Sequence, residues 1–205
     1  MNILVIEDHQ IFSQGLKYLI EDSFAAVTVL TANNAKSALK IIDQSADLDL
    51  LIIDIGLPDI DGCAFLKMLN ERDIIIPSCI ISASEDISKI HTIMNLGAMG
   101  FIPKDWEAKQ IASGLKRILE GEIIIPQDIQ KKLNTFNELQ KKIVLSNRQR
   151  DVLVLLKDGL SNQKISEILN ISEHTVKSHV SALFQVFEAD NRMQCVENAR
   201  NFSIL

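Results

Sequence analysis

The first 120 residues alternate short apolar runs with amphipathic segments, and this alternation restricts the fold more than any other feature of the sequence. The runs NILVI (2–6) and LLII (50–53) are continuously apolar, which is typical of parallel strands buried on both faces. Shorter runs of the same kind lie at 25–30, 78–81 and 98–102. Helical patterns separate these runs, near 10–21, 34–45, 62–70, 86–96 and 106–119. The alternation predicts an α/β fold, a doubly wound parallel sheet of five strands.

The chain changes character after Gly121. Residues 123–142 are polar and lysine-bearing, which indicates a linker that is partly helical. The sequence beyond them holds four short helical patterns, near 146–157, 161–169, 172–187 and 190–201. Ser161 and Ser172 are predicted N-caps, while Gly159 and Asn170 are predicted left-handed helix ends. The sequence therefore predicts a domain at 1–122, a linker at 123–142 and a small all-α domain of four helices at 143–205.

Charge and cysteine usage indicate the surroundings of the protein. The formal charge is −6, and residues 1–122 carry 10 Lys and Arg against 18 Asp and Glu. Residues 143–205 carry 7 of each, so the two predicted domains should have different partners. The sequence lacks an apolar stretch of the roughly 20 residues that a membrane span needs. The acids near the start, together with three widely spaced cysteines, predict a cytoplasmic protein with reduced thiols and no membrane partner.

Acidic side chains follow the first and third predicted strands, at the point where each strand ends. Glu7 and Asp8 follow the run 2–6, and Asp54 follows the run 50–53. These strands are neighbours in the doubly wound order, so their carboxylates should converge at one edge of the sheet. Two unit charges about 4 Å apart repel by about 4 kcal/mol at an effective dielectric constant near 20. The cluster therefore predicts a bound cation, and all-oxygen, partly hydrated sites suit Mg²⁺.

The fourth and fifth predicted strands end in side chains of complementary chemistry. Ser82 brings a hydroxyl, and Lys104 brings a positive charge toward Asp54. Carboxylates, a hydroxyl and an ammonium around a metal ion predict a phosphoryl pocket in which Asp54 attacks as the nucleophile. We interpret His9, which follows the acids, as a surface residue at the start of a helix.

Four short blocks in this region resemble the signature motifs of a bacterial response-regulator receiver domain. They are IEDH (6–9), DIGLPDIDG (54–62), ISA (81–83) and FIPK (101–104). The resemblance covers about residues 1–122 and implies the flavodoxin-like receiver fold. It implies that Asp54 is the phosphoacceptor and that a sensor histidine kinase is the usual donor.

The same resemblance implies roles for the neighbouring residues. Asp8 would bind Mg²⁺ directly and Glu7 largely through water, while Asp54 and the backbone carbonyl of Gly56 would complete the protein ligands. As for the switch residues, Lys104 would pair with the acyl phosphate, Ser82 would move to bond the phosphoryl group, and Phe101 would turn inward behind it. Many receivers have Thr and Tyr at the last two positions, and Phe101 cannot offer a hydroxyl to a partner.

Residues 145–187 have the layout of a helix–turn–helix. One face of the helical pattern at 172–187 is apolar, and the other carries His174, Thr175, Lys177, Ser178 and Ser181. This polar face could enter a DNA major groove, although any small helical bundle would show the same periodicity.

The amino-acid sequence of this segment is more specific evidence than its periodicity. The stretch GLSNQKISEILNISEHTVKSHVS resembles the LuxR-type helix–turn–helix. A receiver followed by this domain is the NarL/FixJ-type architecture. The resemblance implies that 172–187 is the recognition helix. It places Lys177, Ser178 and Ser181 at base edges or nearby phosphates, and Thr175 and His179 in support of the backbone contacts.

The second domain also departs from its family pattern. Gln149 stands where Glu is usual, Glu188 replaces a common Gly, and the basic residues often found after the recognition helix are missing. Phosphate contacts dominate affinity for DNA, so a domain of zero net charge should bind weakly as a monomer. Binding then depends on a homodimer that contacts paired half-sites.

The sequence thus predicts a phosphorylation-dependent transcription regulator of a two-component system, not an enzyme. One alternative is a Mg²⁺-dependent phosphohydrolase that uses Asp54, although the helical tail would then be unexplained. A second alternative is a regulator that acts mainly through protein contacts because its DNA binding is weak. Turnover of phosphate esters would identify the first alternative, and failure to bind promoter DNA would identify the second.

Overall fold

The computed structural model describes residues 1–45 and 47–205, which divide into two compact units, Met1–Lys132 and Leu133–Leu205. The first unit contains a parallel sheet in the order β2-β1-β3-β4-β5. Its strands are β1 (Asn2–Ile6), β2 (Thr28–Ala32), β3 (Leu50–Ile53), β4 (Ser78–Ser82) and β5 (Gly100–Pro103). This order confirms the predicted doubly wound sheet of five parallel strands.

Five helices connect and follow these strands, as the alternating sequence pattern predicted. They are α1 (Gln10–Ser23), α2 (Ala35–Gln44), α3 (Gly62–Glu71), α4 (Ile87–Asn95) and α5 (Ala108–Leu119). Short polar side chains begin three of them by accepting hydrogen bonds from backbone N–H groups. Asn34 accepts from Ser37, Asp61 accepts from Cys63, and Asp86 accepts from Ser88 and Lys89.

The strand register brings the strand ends together at one edge of the sheet. Ile6 of β1 pairs with Ile53 of β3, and the N–H of Asp54 donates to the carbonyl of Ile6 at 2.9 Å. Residues 50–53 are all buried, because the parallel sheet is covered on both faces. The carboxylate that follows this rigid central strand is therefore held in a fixed position beside the end of β1.

Strand β2 lies a few residues later than the apolar run at 25–30 predicts. Ala26 has a φ of 54°, in the left-handed region that non-glycine residues rarely adopt. The chain turns there, and β2 begins only at Thr28. The strand itself was predicted, but its start was placed too early because the prediction followed apolar character alone and gave no weight to a turn at an alanine.

Gly62 brings α3 close to the backbone that carries Asp54. A Cβ atom at Gly62 would lie 2.6 Å from the carbonyl oxygen of Asp54 and 2.9 Å from the Cα of Ile55. Both neighbours are backbone atoms, which cannot rotate away as a flexible side chain could. The missing side chain at position 62 therefore allows the loop after β3 to turn sharply.

The second unit is helical. Helix α6 (Gln127–Lys142) occupies most of the predicted linker; it begins in the first unit and its residues from Leu133 onward belong to the second. It is followed by α7 (Asn147–Lys157), α8 (Asn162–Leu169), α9 (Glu173–Val186) and α10 (Arg192–Asn201). Helices α7 to α10 enclose an apolar core that includes Val152, Leu153, Ile165, Val176 and Leu183. This arrangement confirms the predicted all-α domain of four helices. Within the described chain, no helix has the length and apolar character that crossing a membrane requires.

The helix ends of this unit follow the predicted capping pattern. Ser161 accepts a hydrogen bond from the N–H of Lys164, and Ser172 accepts one from the N–H of Thr175. Gly159 and Asn170 have φ values of 75° and 52°, so both lie in the left-handed region expected at helix ends.

Two of the three departures from the family pattern, those at Gln149 and Glu188, have different structural consequences. Gln149 completes a capping box with Ser146, because its side-chain oxygen accepts from the Ser146 N–H at 2.8 Å. Glutamine therefore replaces glutamate without loss of this function. Glu188, in contrast, has a φ of 48°, where a glycine would be unstrained and another residue costs about 1 kcal/mol.

The three cysteines are free thiols with low reactivity. Cys79 and Cys195 are buried and Cys63 is half-buried. Burial, followed by the charge of Asp61, raises the pKa of the Cys63 thiol to about 12. Since the thiolate is the reactive form, this shift keeps the thiol protonated and unreactive near neutral pH.

Candidate functional site

Four side chains of types that can bind a metal ion meet at the carboxyl edge of β1 and β3. Oxygens of Glu7, Asp8 and Asp54 and a ring nitrogen of His9 all lie within 4.8 Å of one another. Glu7 and Asp54 are buried, at 4% and 5% exposure, and Asp8 is half-buried. The structure therefore brings together the three carboxylates that the predicted strand order placed at this edge.

Lys104 extends from the end of β5 into this cluster. Its Nζ lies 2.7 Å from Glu7 Oε2 and 3.0 Å from Asp54 Oδ2. Burial lowers the pKa of Lys104, but the hydrogen bonds to Glu7 and then Asp54 outweigh it, so the pKa lies above its usual value. The ammonium therefore remains charged and neutralises part of the carboxylate cluster.

Two elements hold Lys104 in this position. The N–H of Lys104 donates to the carbonyl of Ser82 at 3.0 Å, which continues the pairing of β4 and β5. The Nζ also lies 4.9 Å from the centre of the Phe12 ring on α1, a cation–π contact. Sequence reasoning missed Phe12, because an aromatic residue on a helix carries no signal of the cation that it contacts.

His9 lies at the rim of the cluster, with its side chain 71% exposed, at the N-terminus of α1. Its Nδ1 lies 2.9 Å from Glu7 Oε1, and the hydrogen bond to Glu7, followed by the charges of Asp8 and Glu7, raises the pKa of His9. The surface position agrees with the interpretation from sequence, whereas the contact with Glu7 was not predicted.

The chemistry of the cluster fits a hard divalent cation such as Mg²⁺. Asp8 Oδ1 is buried and has no hydrogen-bond partner among the described residues, although His9 Nδ1 lies 2.9 Å away. Gly56 lies beside the carboxylate of Asp54, since a Cβ atom at this glycine would be 3.5 Å from Asp54 Oδ2. Three carboxylates outnumber the Lys104 ammonium and the His9 ring beside them, and a buried oxygen without a hydrogen-bond partner is stabilised when a cation binds it.

The two predicted switch residues lie in the adjacent strands. Ser82 ends β4 and is buried, and its Oγ accepts a hydrogen bond from the N–H of Ser84 at 3.1 Å. Phe101 in β5 is fully buried and pairs with Ile80 of β4. The hydroxyl is thus engaged within its own loop, and the phenylalanine ring already lies inside the domain.

Helix α9 presents a polar face in the second unit. Exposed residues repeat at helical spacing along it, namely His174, Ser178, Ser181 and Gln185, with Lys177 beside them. Thr175 and His179 are half-buried at the edge of this face. Sequence reasoning did not include Gln185, although its spacing of four from Ser181 would have identified it.

Hydrogen bonds along α9 determine which groups of this face are available. Lys177 Nζ lies 3.1 Å from Glu173 Oε1, four residues earlier on the same helix. Ser178 Oγ donates to the carbonyl of His174 at 3.2 Å, and the hydroxyls of Ser172 and Thr175 are 2.8 Å apart. Glu173 thus partly neutralises the lysine that was predicted to contact DNA.

Comparison with known proteins agrees with this geometry. The model of the response regulator receiver domain matches residues 3–116, and the model of the luxR family of bacterial regulatory proteins matches residues 143–199. The chain is 32% identical to the glycerol metabolism activator of Pseudomonas putida, with 96% of this chain and 94% of that protein covered. It is 27% identical to the nitrate/nitrite response regulator protein NarL of Escherichia coli (strain K12), with 94% and 91% covered.

The fold also agrees with that of a solved regulator. The RcsB response regulator of Salmonella typhimurium superposes with a TM-score of 0.71, over 96% of this chain and 98% of that one, at 19% identity. The family matches cover both units, and the relatives match along nearly the full chain. The chain therefore belongs to the response regulators, and it is a two-component transcription regulator with a receiver domain and a LuxR-type DNA-binding domain.

Proposed function

We propose that Asp54 accepts a phosphoryl group from a sensor histidine kinase in a Mg²⁺-dependent reaction in the cytoplasm. The contact that carries this proposal is that between Lys104 Nζ and Asp54 Oδ2, at 3.0 Å, within a carboxylate cluster that has an unpartnered oxygen. A carboxylate that serves only packing would not need a largely buried ammonium beside it. The receiver family supports the choice of a kinase as partner.

The chain's own residues would orient and stabilise the reacting groups. One carboxylate oxygen of Asp54 forms a bond to phosphorus while the bond between phosphorus and the donor's imidazole nitrogen breaks. Lys104 contacts both Asp54 and Glu7, so its ammonium is already placed to neutralise a phosphoryl oxygen. Asp8, Glu7, Asp54 and the carbonyl of Gly56 would hold Mg²⁺, which when bound supplies further positive charge toward the phosphoryl oxygens.

Ser82 and Phe101 would transmit the effect of the new phosphoryl charge to the rest of the domain. To donate its O–H to a phosphoryl oxygen on Asp54, the Ser82 side chain would turn, and its Oγ would then leave the position in which it accepts the hydrogen bond from the Ser84 N–H. Phe101 lies on the neighbouring strand β5, where it pairs with Ile80 of β4, and its side chain is fully buried. We propose that this turn of the Ser82 side chain biases the domain between two arrangements, as is general for charge-based switches.

DNA binding is assigned to the exposed face of α9. Lys177, Ser178 and Ser181 would face base edges or phosphates, while Thr175 and His179 would support backbone contacts. RcsB, whose fold this chain shares, has been solved as dimers bound to DNA. Because the unit has no net positive charge, a homodimer on paired half-sites would supply the contacts that one copy lacks.

The proposal predicts that phosphoryl uptake and DNA binding rise together. With Mg²⁺ and acetyl phosphate, intact mass should increase by one phosphoryl group per chain, and EDTA should prevent the increase. In a gel-shift experiment on the DNA upstream of the gene that encodes this protein, the phosphorylated form should then bind at about one tenth of the concentration that the unphosphorylated form needs. A tenfold effect is within the usual range for two coupled sites. Sustained release of phosphate from phosphate esters would support a phosphohydrolase instead. Uptake without any gel shift would support a regulator that acts through protein contacts.

The ion pair on α9 gives a second prediction. If Lys177 contacts a base, Lys177→Ala should weaken the free energy of DNA binding by about 1 to 3 kcal/mol. If Lys177 contacts a phosphate instead, the variant should reduce the slope of the logarithm of affinity against the logarithm of salt concentration by about one. Glu173→Gln should strengthen binding several-fold, because it removes a carboxylate that repels DNA and pairs with Lys177. Fluorescence anisotropy at several salt concentrations separates these effects.

Lys157→Ala is the matched control for this pair of variants. Lys157 is an exposed lysine at the end of α7, outside the polar face of α9. An equal loss of affinity in Lys157→Ala and Lys177→Ala would show that only total charge matters, and it would contradict the assignment of α9 as the recognition helix.

A further inference from the structure

A short series of contacts joins the Ser82 hydroxyl to the beginning of α6. The N–H of Ser84 donates to Ser82 Oγ at 3.1 Å, and the N–H of Asp86 donates to Ser84 Oγ at 3.4 Å. Glu85 lies between these two residues, and its Oε2 is 2.6 Å from Lys132 Nζ on α6. All of these residues belong to the first unit. The loop after β4 therefore contacts both the Ser82 hydroxyl and the beginning of α6.

The beginning of α6 is held at a second place by strand β5. The N–H of Phe101 donates to the carbonyl of Ile124 at 2.8 Å, and the N–H of Ile124 donates to the carbonyl of Met99 at 2.9 Å. Ile124 thus extends the edge of the sheet immediately before α6 begins, and Ile129 in its first turn is fully buried. The two predicted switch residues, Ser82 and Phe101, each contact a segment that restrains the same helix.

Among the described residues, Lys132 forms ion pairs with Glu85 and Asp128, and the pair with Glu85 is the shorter. The distance from Lys132 Nζ to Asp128, one turn earlier on α6, is 4.0 Å, compared with 2.6 Å to Glu85. The hydrogen bond to Glu85 also raises the pKa of Lys132 above its usual value. The preferred partner therefore lies in the loop after β4, 47 residues away in the sequence.

We propose that the Glu85–Lys132 ion pair restrains α6 in the arrangement in which the Ser82 hydroxyl bonds Ser84, and that phosphorylation loosens it. This inference rests on the proposed function of Asp54. When the hydroxyl turns toward a phosphoryl group, Ser84 loses its hydrogen-bond acceptor, and the loop that positions Glu85 is no longer fixed. The start of the helix that leads to the DNA-binding unit then becomes free to move.

A shift in population makes the proposal measurable. The ion pair lowers the population of the arrangement that phosphorylation favours, so losing the pair should raise the observed rate of phosphoryl uptake from that arrangement in proportion to its population. Since the pair is about half-exposed, it should contribute only as much as other surface ion pairs do. Glu85→Lys and Lys132→Glu should each raise the rate of phosphoryl uptake from acetyl phosphate about two- to fivefold. The double variant, which restores an ion pair of reversed polarity, should return the rate to that of wild type.

Amide hydrogen exchange provides a second readout on the full chain. In wild type, phosphorylation should raise exchange in peptides that cover 83–86 and 127–132, whereas each single variant should show raised exchange before phosphorylation. Asp128→Asn is the matched control, because it removes the weaker contact of Lys132 on α6 and should leave both readouts as in wild type.

The possible outcomes separate this proposal from the proposed function. If wild type takes up a phosphoryl group on Asp54 but all four chains of the charge-reversal series react at equal rates, the restraint by Glu85 is rejected and the function stands. The same holds if phosphorylation leaves exchange at 127–132 unchanged. If wild type takes up no phosphoryl group, both proposals are rejected.

Discussion

Asp54→Asn should reduce phosphoryl uptake from acetyl phosphate in the presence of Mg²⁺ to the level seen without donor. The amide has nearly the same shape as the carboxylate, and its oxygen can still accept a hydrogen bond from Lys104, which lies 3.0 Å away. It lacks the negative charge and nucleophilicity that forming an acyl phosphate requires. Intact-mass measurement should therefore show no phosphorylated species, and DNA binding should no longer respond to the donor.

Asp59→Asn offers a matched control within the same turn. Asp59 is exposed, and its carboxylate accepts hydrogen bonds from the N–H groups of Ala35 and Lys36 at the start of α2. An asparagine oxygen can keep one of these bonds, so the fold should survive and phosphoryl uptake should match that of wild type. Far-UV circular dichroism would verify that both variants are folded.

The comparison of these two variants gives a clear decision. Continued uptake in Asp54→Asn would place the acceptor elsewhere, with Asp8 and Glu7 of the same cluster as the next carboxylates to test. Loss of uptake in both variants would show that the turn after β3, and not the nucleophile, had been disturbed. Only loss confined to Asp54→Asn supports the proposed phosphoacceptor.

The central part of the fold was predictable because its physical signal is strong. Residues 50–53 are continuously apolar, and burial on both faces of a parallel sheet is what such a run requires. The start of the edge strand β2 was predicted too early. This strand is only partly buried, so its apolar pattern is weaker than that of β3. The helix ends were predictable for a similar reason, since Ser161 and Ser172 satisfy backbone N–H groups that would otherwise lack partners.

The candidate site was predictable only to the extent that strand ends determine it. Glu7, Asp54 and Lys104 follow strands whose order places them together, and the structure has them in contact. Contacts such as those of Phe12 with Lys104 and of Glu85 with Lys132 depend on how separate elements pack. Residue type and spacing do not determine that packing. The pair of Glu173 and Lys177, in contrast, has the i,i+4 spacing that sequence alone reveals.

Lys104→Met should destabilise the protein strongly when metal is absent. Methionine can keep the apolar stem of the side chain in place, but it leaves the buried carboxylates of Glu7 and Asp54 without their shared cation. Breaking a buried ion pair by removing one partner costs about 3 to 5 kcal/mol. Because the Lys104 side chain is 15% exposed, we expect the lower end, a loss of about 3 kcal/mol in the free energy of unfolding, measured with urea in the presence of EDTA.

Mg²⁺ should reverse much of this loss, since a divalent cation among the same carboxylates replaces the missing positive charge. Lys104→Met should also bind Mg²⁺ about tenfold more tightly than wild type, because the ammonium no longer repels the ion. Urea unfolding at several Mg²⁺ concentrations measures both quantities through the stabilisation that binding to the native state produces. Lys109→Met, which removes an exposed lysine on α5, should change neither. If the two variants lost equal stability, or if Mg²⁺ stabilised Lys104→Met no more than wild type, Lys104 and the metal would not share the carboxylate cluster.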